Sequence, residues 1–218
     1  MISGVVFDMD GVMFDTERLN CDVWLEVYRA DGVPVTREVL IAFAGMTAES
    51  TAVLMTERYG GGHDYRALDR LAEQQVARRL QAEGVPLKPG LLPLLAYLRE
   101  REYRVALATS NVESVAGAAL ELAGVKSAFH ATVFGDSIAR SKPSPDIYLA
   151  AAAALGLPPG HCMALEDAPA GIRAAHAAGL YPVMVPDQIQ PDDTIRPLLF
   201  ALVPTLNDVP ALLEKHNV

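Results

Sequence analysis

Short runs of apolar and β-branched residues alternate along most of the chain with longer stretches that are rich in alanine and leucine. Each run ends in polar residues or glycine, a pattern typical of a parallel α/β sheet whose strands are joined by helices. The segments with the character of buried strands are 4–8, 104–109, 131–134, 163–165, 182–185 and 199–203. Helices are predicted over 113–123, 145–155 and 168–178, and a glycine follows each of them, as expected at helix ends.

The region from about residue 15 to residue 83 breaks this alternation, because it contains only helical periodicity. Helices fit residues 17–30 and 48–59, and Leu68, Ala72 and Val76 mark one apolar face of a third helix. We therefore expect residues 1–14 and 87–218 to form an α/β core, interrupted by an all-helical insertion over residues 15–86.

The composition is that of a globular protein, since 51% of the 218 residues are hydrophobic and 21% are charged. With 27 acidic and 18 basic residues the formal charge is -9, and lysine and arginine form no block. This charge argues against binding to nucleic acid or an anionic membrane, and by itself it also disfavours an anionic ligand. No apolar run has the length of a membrane span and no leader pattern opens the chain, so we expect a cytoplasmic protein.

Cysteine and histidine offer little for a disulfide or a zinc site. Cys21 and Cys162 are far apart in the sequence and lack metal-ligand spacing, so we expect two free thiols. The five histidines also lack the spacing of a metal site, and we expect none of them to bind a metal.

Two carboxylates, Asp8 and Asp10, follow the first predicted strand directly. An aspartate at the end of a buried strand is unfavourable unless a partner compensates its charge, and a divalent cation would do so. A pair of aspartates that caps a strand-to-helix turn would give the same local pattern. The pair alone therefore leaves both interpretations open.

Polar groups follow other predicted strands as well. They are Thr109, Ser110 and Asn111 after the second strand, Lys142 in a proline-braced loop, and Glu166 and Asp167 after the fourth strand. Each has an ordinary explanation, as a helix cap or a surface lysine. Since parallel strands point the same way, however, these groups would converge on one edge of the sheet, where open α/β folds bind ligands. A hydroxyl and the amides at a helix start would suit an anion there.

The segments DMDGVMFDTE, ATSN, SKPSPDIYL and ALEDAPAGIRAAHAAG occur in this order and span most of the chain. Together they resemble the four motifs of the haloacid dehalogenase superfamily, in its phosphatase and β-phosphoglucomutase branch. The resemblance implies a Rossmann-like parallel sheet core, an all-helical cap domain inserted after the first motif, and dependence on Mg2+.

The resemblance also implies roles for these residues. Asp8 would be the nucleophile that forms an aspartyl-phosphate, and Asp10 would be the general acid and base. Mg2+ would be held by Asp8, the backbone carbonyl of Asp10 and Asp167, with Glu166 in or next to the coordination shell. The residues implied in binding the phosphate are Thr109, Ser110, Asn111 and Lys142.

Asp10 favours phosphoryl transfer over carbon–halogen hydrolysis, because the dehalogenase branch differs at this position. The choice between phosphatase and phosphomutase turns on the predicted cap. Ala48 stands where the mutases carry an arginine for a second phosphate, and Asn20 stands where a histidine is expected. We therefore expect a phosphatase, with a phosphomutase and a non-catalytic phosphate-binding protein as the alternatives.

The expected partner is a small phosphorylated metabolite such as a sugar phosphate, bound by a monomeric protein. The loop with Gly45, Met46 and Thr47 is expected to face Asp8 from the cap and to contact this substrate. Nucleic acid and membranes are not expected as partners.

Overall fold

The computed structural model describes residues 1–42 and 48–217. The chain divides into two compact units, one formed by Met1–Asp15 with Pro86–Val218 and the other by Thr16–Val85. Within the described residues, no helix is long and apolar enough to cross a membrane. Cys21 and Cys162 are free, as predicted.

Six strands in the described residues form one parallel sheet in the first unit, in the order β3-β2-β1-β4-β5-β6. The strands are β1 (Gly4–Phe7), β2 (Arg104–Ala108), β3 (Ala131–Val133), β4 (Cys162–Glu166), β5 (Tyr181–Met184) and β6 (Ala201–Leu202). Each predicted strand lies within two residues of an observed one. The predicted α/β fold with a Rossmann-like parallel sheet is confirmed.

Helices connect the parallel strands, as such strands require. In chain order they are α1 (Thr16–Ala30), α2 (Arg37–Ala42), α3 (Ala48–Tyr59), α4 (Tyr65–Glu83), α5 (Leu91–Glu100), α6 (Glu113–Leu122), α7 (Asp146–Ala154), α8 (Pro169–Ala177) and α9 (Val209–Asn217). In the first unit α5 buries Leu91, Leu94, Leu95 and Leu98, a spacing that places all four on one face.

The central strand β1 is buried along its whole length, and Val5, Val6 and Phe7 expose no surface. It pairs with β2 on one side and with β4 on the other, so that Phe7 lies level with Leu107 and Leu165. The strand order changes direction at this point, and the crevice at such a point is the usual ligand site of open α/β sheets. The next residue of the chain, Asp8, therefore stands at the middle of the carboxyl edge.

The amide of Asn217, at the end of α9, fastens the start of β1. Its Oδ1 accepts from the Ile2 backbone N–H at 2.7 Å, and its Nδ2 donates to the Ile2 carbonyl at 2.8 Å. The same Nδ2 donates to the Tyr103 hydroxyl at 2.9 Å. Since Ile2 is 1% exposed, water has little access to replace these bonds.

In the second unit, α1, α3 and α4 pack around an apolar core, and a buried carboxylate lies among them. Asp69 on α4 accepts at Oδ1 from the Trp24 indole N–H at 2.9 Å and from the Tyr28 hydroxyl at 2.8 Å. Asp69 and Tyr28 are both buried, so these bonds satisfy polar groups inside the core.

Replacing Asn217 with alanine would leave both backbone groups of Ile2 without their partner. We expect Asn217→Ala to lower the free energy of unfolding by about 1–3 kcal/mol, the usual cost of buried unpaired polar groups. Urea unfolding followed by circular dichroism measures this loss. The exposed neighbour provides the control, because Lys215→Ala is expected to change the stability by less than about 0.5 kcal/mol. Equal effects of the two substitutions would contradict the fastening role.

Candidate functional site

Three carboxylates meet at the carboxyl edge of the sheet. Asp8 follows β1, Glu166 ends β4, and Asp167 comes directly after Glu166. One oxygen from each lies within 4.8 Å of the others, an arrangement that could hold a metal ion. Because β1 and β4 are adjacent and in register, the sheet itself brings these acidic groups together.

Lys142 lies against two of these carboxylates. Its ammonium donates to Asp8 Oδ1 at 2.5 Å, to Glu166 Oε1 at 2.6 Å and to the Ala108 carbonyl at 3.1 Å. The side chain is 10% exposed. Burial opposes the positive charge, but the nearby Asp8 and Glu166 carboxylates outweigh it and raise the pKa of Lys142 above its ordinary value. The lysine is therefore charged and bound at all three of its N–H groups.

The loop that carries Lys142 is braced at its far end. Arg140 donates from Nε and Nη2 to the two carboxylate oxygens of Asp146, at 2.9 and 2.7 Å. The Ser144 hydroxyl donates to the same carboxylate at 3.0 Å. These bonds join the loop to the first residue of α7 and help to hold Lys142 in place.

One lysine does not compensate the whole acidic cluster. Burial raises the pKa of Asp8 to about 7, against the lowering effect of Lys142. Burial, together with the charges of Asp8 and Glu166, raises the pKa of Asp167 to about 9. Within the described part of the chain, no group donates a hydrogen bond to Asp167 and no cation pairs with it. The oxygen donors and the excess negative charge fit a divalent cation.

Two glycines allow the backbone to approach the carboxylates closely. Gly11 has φ 75°, and a Cβ at this position would lie 2.1 Å from Asp167 Oδ2. A Cβ at Gly171 on α8 would lie 1.8 Å from Glu166 Oε1. Both contacts are far below van der Waals distance, so only glycine fits at these positions without movement of the carboxylates.

Asp10 has a different hydrogen-bond partner from the three clustered carboxylates, although its charge also raises the pKa of Asp8. Its Oδ2 accepts from the Asn111 side-chain amide at 2.6 Å, so the carboxylate is held from the end of β2 instead. The two aspartates predicted from one motif thus have different surroundings: Asp8 contacts a lysine, and Asp10 contacts a neutral amide.

The residues after β2 differ in their exposure. Thr109 is 1% exposed, and its Oγ1 accepts from the Asn111 backbone N–H at 3.2 Å, whereas Ser110 is exposed. The part that the amides of this turn play in an anion site stays a prediction, but one amide at the helix start already has a partner. The helix α6 begins at Glu113, and the Asp136 carboxylate already accepts from the Glu113 N–H at 3.3 Å.

The remaining predicted site residues, Gly45, Met46 and Thr47, lie outside the described residues.

Sequence reasoning missed two groups next to the acidic cluster. Tyr148 on α7 is fully buried and donates its hydroxyl to Glu166. Asp187, after β5, is paired with Lys88 at 2.8 Å, and its charge adds to the raised pKa of Asp167. The sequence does indicate a polar partner for Tyr148, because a tyrosine in a buried, alanine-rich helix needs one for its hydroxyl. The Lys88 pairing joins residues far apart in the sequence and leaves no local pattern.

A family model for haloacid dehalogenase-like hydrolases matches residues 2–179. The fructose-1-phosphate phosphatase YqaB of Escherichia coli is 32% identical over 180 residues, which cover 82% of this chain and 93% of that protein. The β-phosphoglucomutase of Bacillus subtilis is 31% identical over 192 residues, which cover 84% of this chain and 83% of that protein. The chloroplastic SUPPRESSOR OF QUENCHING 1 protein of Arabidopsis thaliana is 34% identical over 183 residues, which cover 82% of this chain and 17% of that longer protein.

A solved structure resembles the whole chain. The structure of a haloacid dehalogenase (HAD) family hydrolase from Deinococcus radiodurans, crystallised with bound phosphate and sodium, superposes on this chain with a TM-score of 0.84 at 24% sequence identity. The match covers 99% of this chain and 96% of that chain. This similarity establishes a shared fold.

The raised carboxyl pKa values make the metal-free protein sensitive to pH. Asp8 and Asp167 ionise near pH 4 when unfolded but only near pH 7 and 9 when folded, so the unfolded state loses its protons first. Stability without metal should therefore fall as the pH rises from about 4 to about 9. We expect Asp167→Asn to raise the melting temperature at pH 8 in a chelating buffer, because it removes one ionisable group from the cluster.

Differential scanning fluorimetry measures this shift, with Asp193→Asn as the control at an exposed aspartate. A lower melting temperature for Asp167→Asn than for the unmodified protein at pH 8 would contradict the explanation.

Proposed function

The chain belongs to the haloacid dehalogenase-like hydrolase family, and from this premise we propose that it is a Mg2+-dependent phosphatase of a small, sugar-phosphate-like metabolite. The predicted family resemblance and the predicted hydrolase are confirmed by the family model and by relatives named as phosphatases. The proposed reaction proceeds through an aspartyl-phosphate on Asp8.

The observation that carries this proposal is that Asp8 and Asp10 have different hydrogen-bond partners. Asp8 belongs to the acidic cluster and accepts a hydrogen bond from Lys142, whereas Asp10 accepts one from the neutral amide of Asn111. Two carboxylates in different surroundings can take two roles, one as nucleophile and one as acid and base. A protein that only binds phosphate would have no need for the second carboxylate.

In the proposed first step, a carboxylate oxygen of Asp8 attacks phosphorus and the bond from phosphorus to the leaving oxygen breaks. Asp10 gives its proton to that oxygen, so the product leaves as an alcohol. In the second step, Asp10 takes a proton from a water molecule, which attacks phosphorus and releases inorganic phosphate from Asp8. Atoms and charges balance, because Asp10 ends in its starting protonation state.

Mg2+ would be held by the carboxylates of Asp8 and Asp167 and by the carbonyl of Asp10, with Glu166 at the edge of the site. When bound, it would neutralise charge on the cluster and on the transferring phosphoryl group. The acidic cluster supports this assignment, as does Asp167, which has no hydrogen-bond or ion-pair partner among residues 1–42 and 48–217.

Lys142 would offset the repulsion between Asp8 and the incoming anion, while Thr109 and the Ser110 amide would bind phosphate oxygens. The Asn111 side chain faces Asp10 rather than an open anion site. Besides its predicted role in phosphate binding, Asn111 would therefore hold the Asp10 carboxylate in place.

The predicted cap, residues 15–86, would select the leaving group, with Gly45, Met46 and Thr47 contacting the substrate. We infer a monomer that works in the cytoplasm on a small metabolite, without nucleic acid or membrane as partner.

A β-phosphoglucomutase-like phosphomutase is the second candidate, because a relative of that name is 31% identical to the chain. Ala48 and Asn20 replace two residues that such an enzyme is expected to need. An isomerisation assay with a sugar phosphate and its bisphosphate activator separates the two functions: sustained isomerisation faster than phosphate release would favour the mutase.

The main test is phosphate release from a panel of sugar, nucleotide and organic-acid phosphates, with and without Mg2+. We expect at least one sugar phosphate to be hydrolysed with Mg2+, and Asp8→Asn to lower kcat by at least about a thousandfold, since the nucleophile is lost. The control is Asp193→Asn, at an exposed aspartate with no proposed role, which should retain the activity. Activity of Asp8→Asn equal to that of the unmodified protein would refute the mechanism.

A second prediction concerns Asp10→Asn with p-nitrophenyl phosphate. This leaving group departs without protonation, so Asp8 should still be phosphorylated, while hydrolysis of the intermediate loses its base. Stopped-flow absorbance should record a burst of about one p-nitrophenolate per protein, followed by slow turnover. Slow release without a burst would place the main role of Asp10 elsewhere.

A further inference from the structure

The two carboxylate oxygens of Glu166 have different surroundings. Oε1 accepts from the Lys142 ammonium at 2.6 Å and from the Tyr148 hydroxyl. Over residues 1–42 and 48–217, no protein group donates to Oε2. Since Glu166 is only 1% exposed, its orientation is fixed by these protein contacts rather than by bulk water.

Tyr148 touches both members of the pair formed by Lys142 and Glu166. Besides the hydrogen bond to Glu166, its ring centroid lies 5.2 Å from the Lys142 nitrogen, within the range of a cation–π contact. The tyrosine exposes no surface, so its hydroxyl has Glu166 as partner in place of water.

Gly171 on α8 also lies against the Glu166 carboxylate. A hypothetical Cβ at Gly171 would lie 1.8 Å from Glu166 Oε1. The backbone of α8 therefore stands directly against this carboxylate. Glu166 is thus held between α8 and α7, and the Tyr148 hydroxyl supplies the contact from α7.

The charge balance at Lys142 depends on this contact. Its three N–H groups serve Asp8, Ala108 and Glu166, and the Tyr148 hydroxyl shares the negative charge of the oxygen that Lys142 contacts on Glu166. Without that hydroxyl, Lys142 alone would compensate Oε1. The ammonium would then be drawn toward Glu166 and away from Asp8.

We propose that the Tyr148 hydroxyl is a positioning group, which orients Glu166 so that Lys142 stays at Asp8 and Oε2 of Glu166 remains available to the metal site. This inference rests on the proposed function, in which Lys142 offsets charge at Asp8. Tyr148 itself touches neither substrate nor metal in this assignment.

The test is Tyr148→Phe, which removes one oxygen and keeps the ring. We expect kcat and Mg2+ affinity each to fall by about tenfold, the usual effect of losing a group that orients a metal ligand. The KM for the substrate should change by less than about threefold, because the phosphate contacts remain. Isothermal titration calorimetry of the metal-free protein with MgCl2 measures the affinity without substrate.

The matched control is Tyr28→Phe. Tyr28 is another fully buried tyrosine that donates to an aspartate, but in the helical unit. Its loss should leave Mg2+ affinity and kcat within about twofold of the unmodified protein, since Asp69 is not among the proposed metal ligands.

A double-mutant cycle with Glu166→Gln separates positioning from general packing. If the hydroxyl acts through Glu166, Tyr148→Phe should lower kcat by less than about twofold in the Glu166→Gln background. The same tenfold loss in both backgrounds would overturn the proposal in favour of a packing role.

Unchanged Mg2+ affinity and kcat in a folded Tyr148→Phe protein would also overturn the proposal, while the proposed phosphatase would stand. If the unmodified protein hydrolyses no phosphate in the panel, the proposed function fails, but calorimetry still tests the effect on Mg2+.

Should Tyr148→Phe fail to fold, 3-fluorotyrosine at position 148 keeps the ring and strengthens the hydroxyl as a hydrogen-bond donor. A change of at least about twofold in the Mg2+ dissociation constant would then support the proposal, and no change would overturn it.

Discussion

The Lys142 ammonium between Asp8 and Glu166 is the contact on which the arrangement of the sheet edge depends. Adjacent parallel strands bring acidic side chains together at their buried ends, where burial and mutual repulsion both oppose ionisation. A single lysine from the loop before α7 offsets part of this cost. The loop is therefore joined to the centre of the sheet by charge, and loss of either partner would leave a buried charge without compensation.

The backbone around these charged groups is packed closely. Gly11 and Gly171 bring the chain against Asp167 and Glu166, and Gly135 packs against the Ser110 carbonyl, with a hypothetical Cβ only 2.0 Å from that oxygen. The main chain at Gly11 and Gly171 thus lies directly against two of the carboxylates. Such preorganisation lets charged groups act without rearrangement when an anion arrives.

The sequence predicted the sheet and the residues at its edge because both follow from short-range patterns. Buried strands are recognisable as apolar runs, and parallel packing then places the residue after each strand at one edge. The partners of the individual side chains could not be predicted, since they depend on tertiary distances. Asn111 thus faces Asp10 instead of an open anion site, and Asp136, more than twenty residues further on, occupies the start of α6. The apolar run of α5 fits a strand as well as a helix, so the sequence pattern alone does not decide between the two.

The fastening of Ile2 by Asn217 also has a consequence for the order of events during synthesis. The two residues are 215 positions apart, so at ordinary translation rates roughly 10 to 40 s separate their appearance on the ribosome. Over that interval the strand that leads to Asp8 lacks its final support, and its neighbour β4 is still missing for most of the time. The strand that leads to Asp8 is therefore synthesised well before the residue that completes its hydrogen bonding.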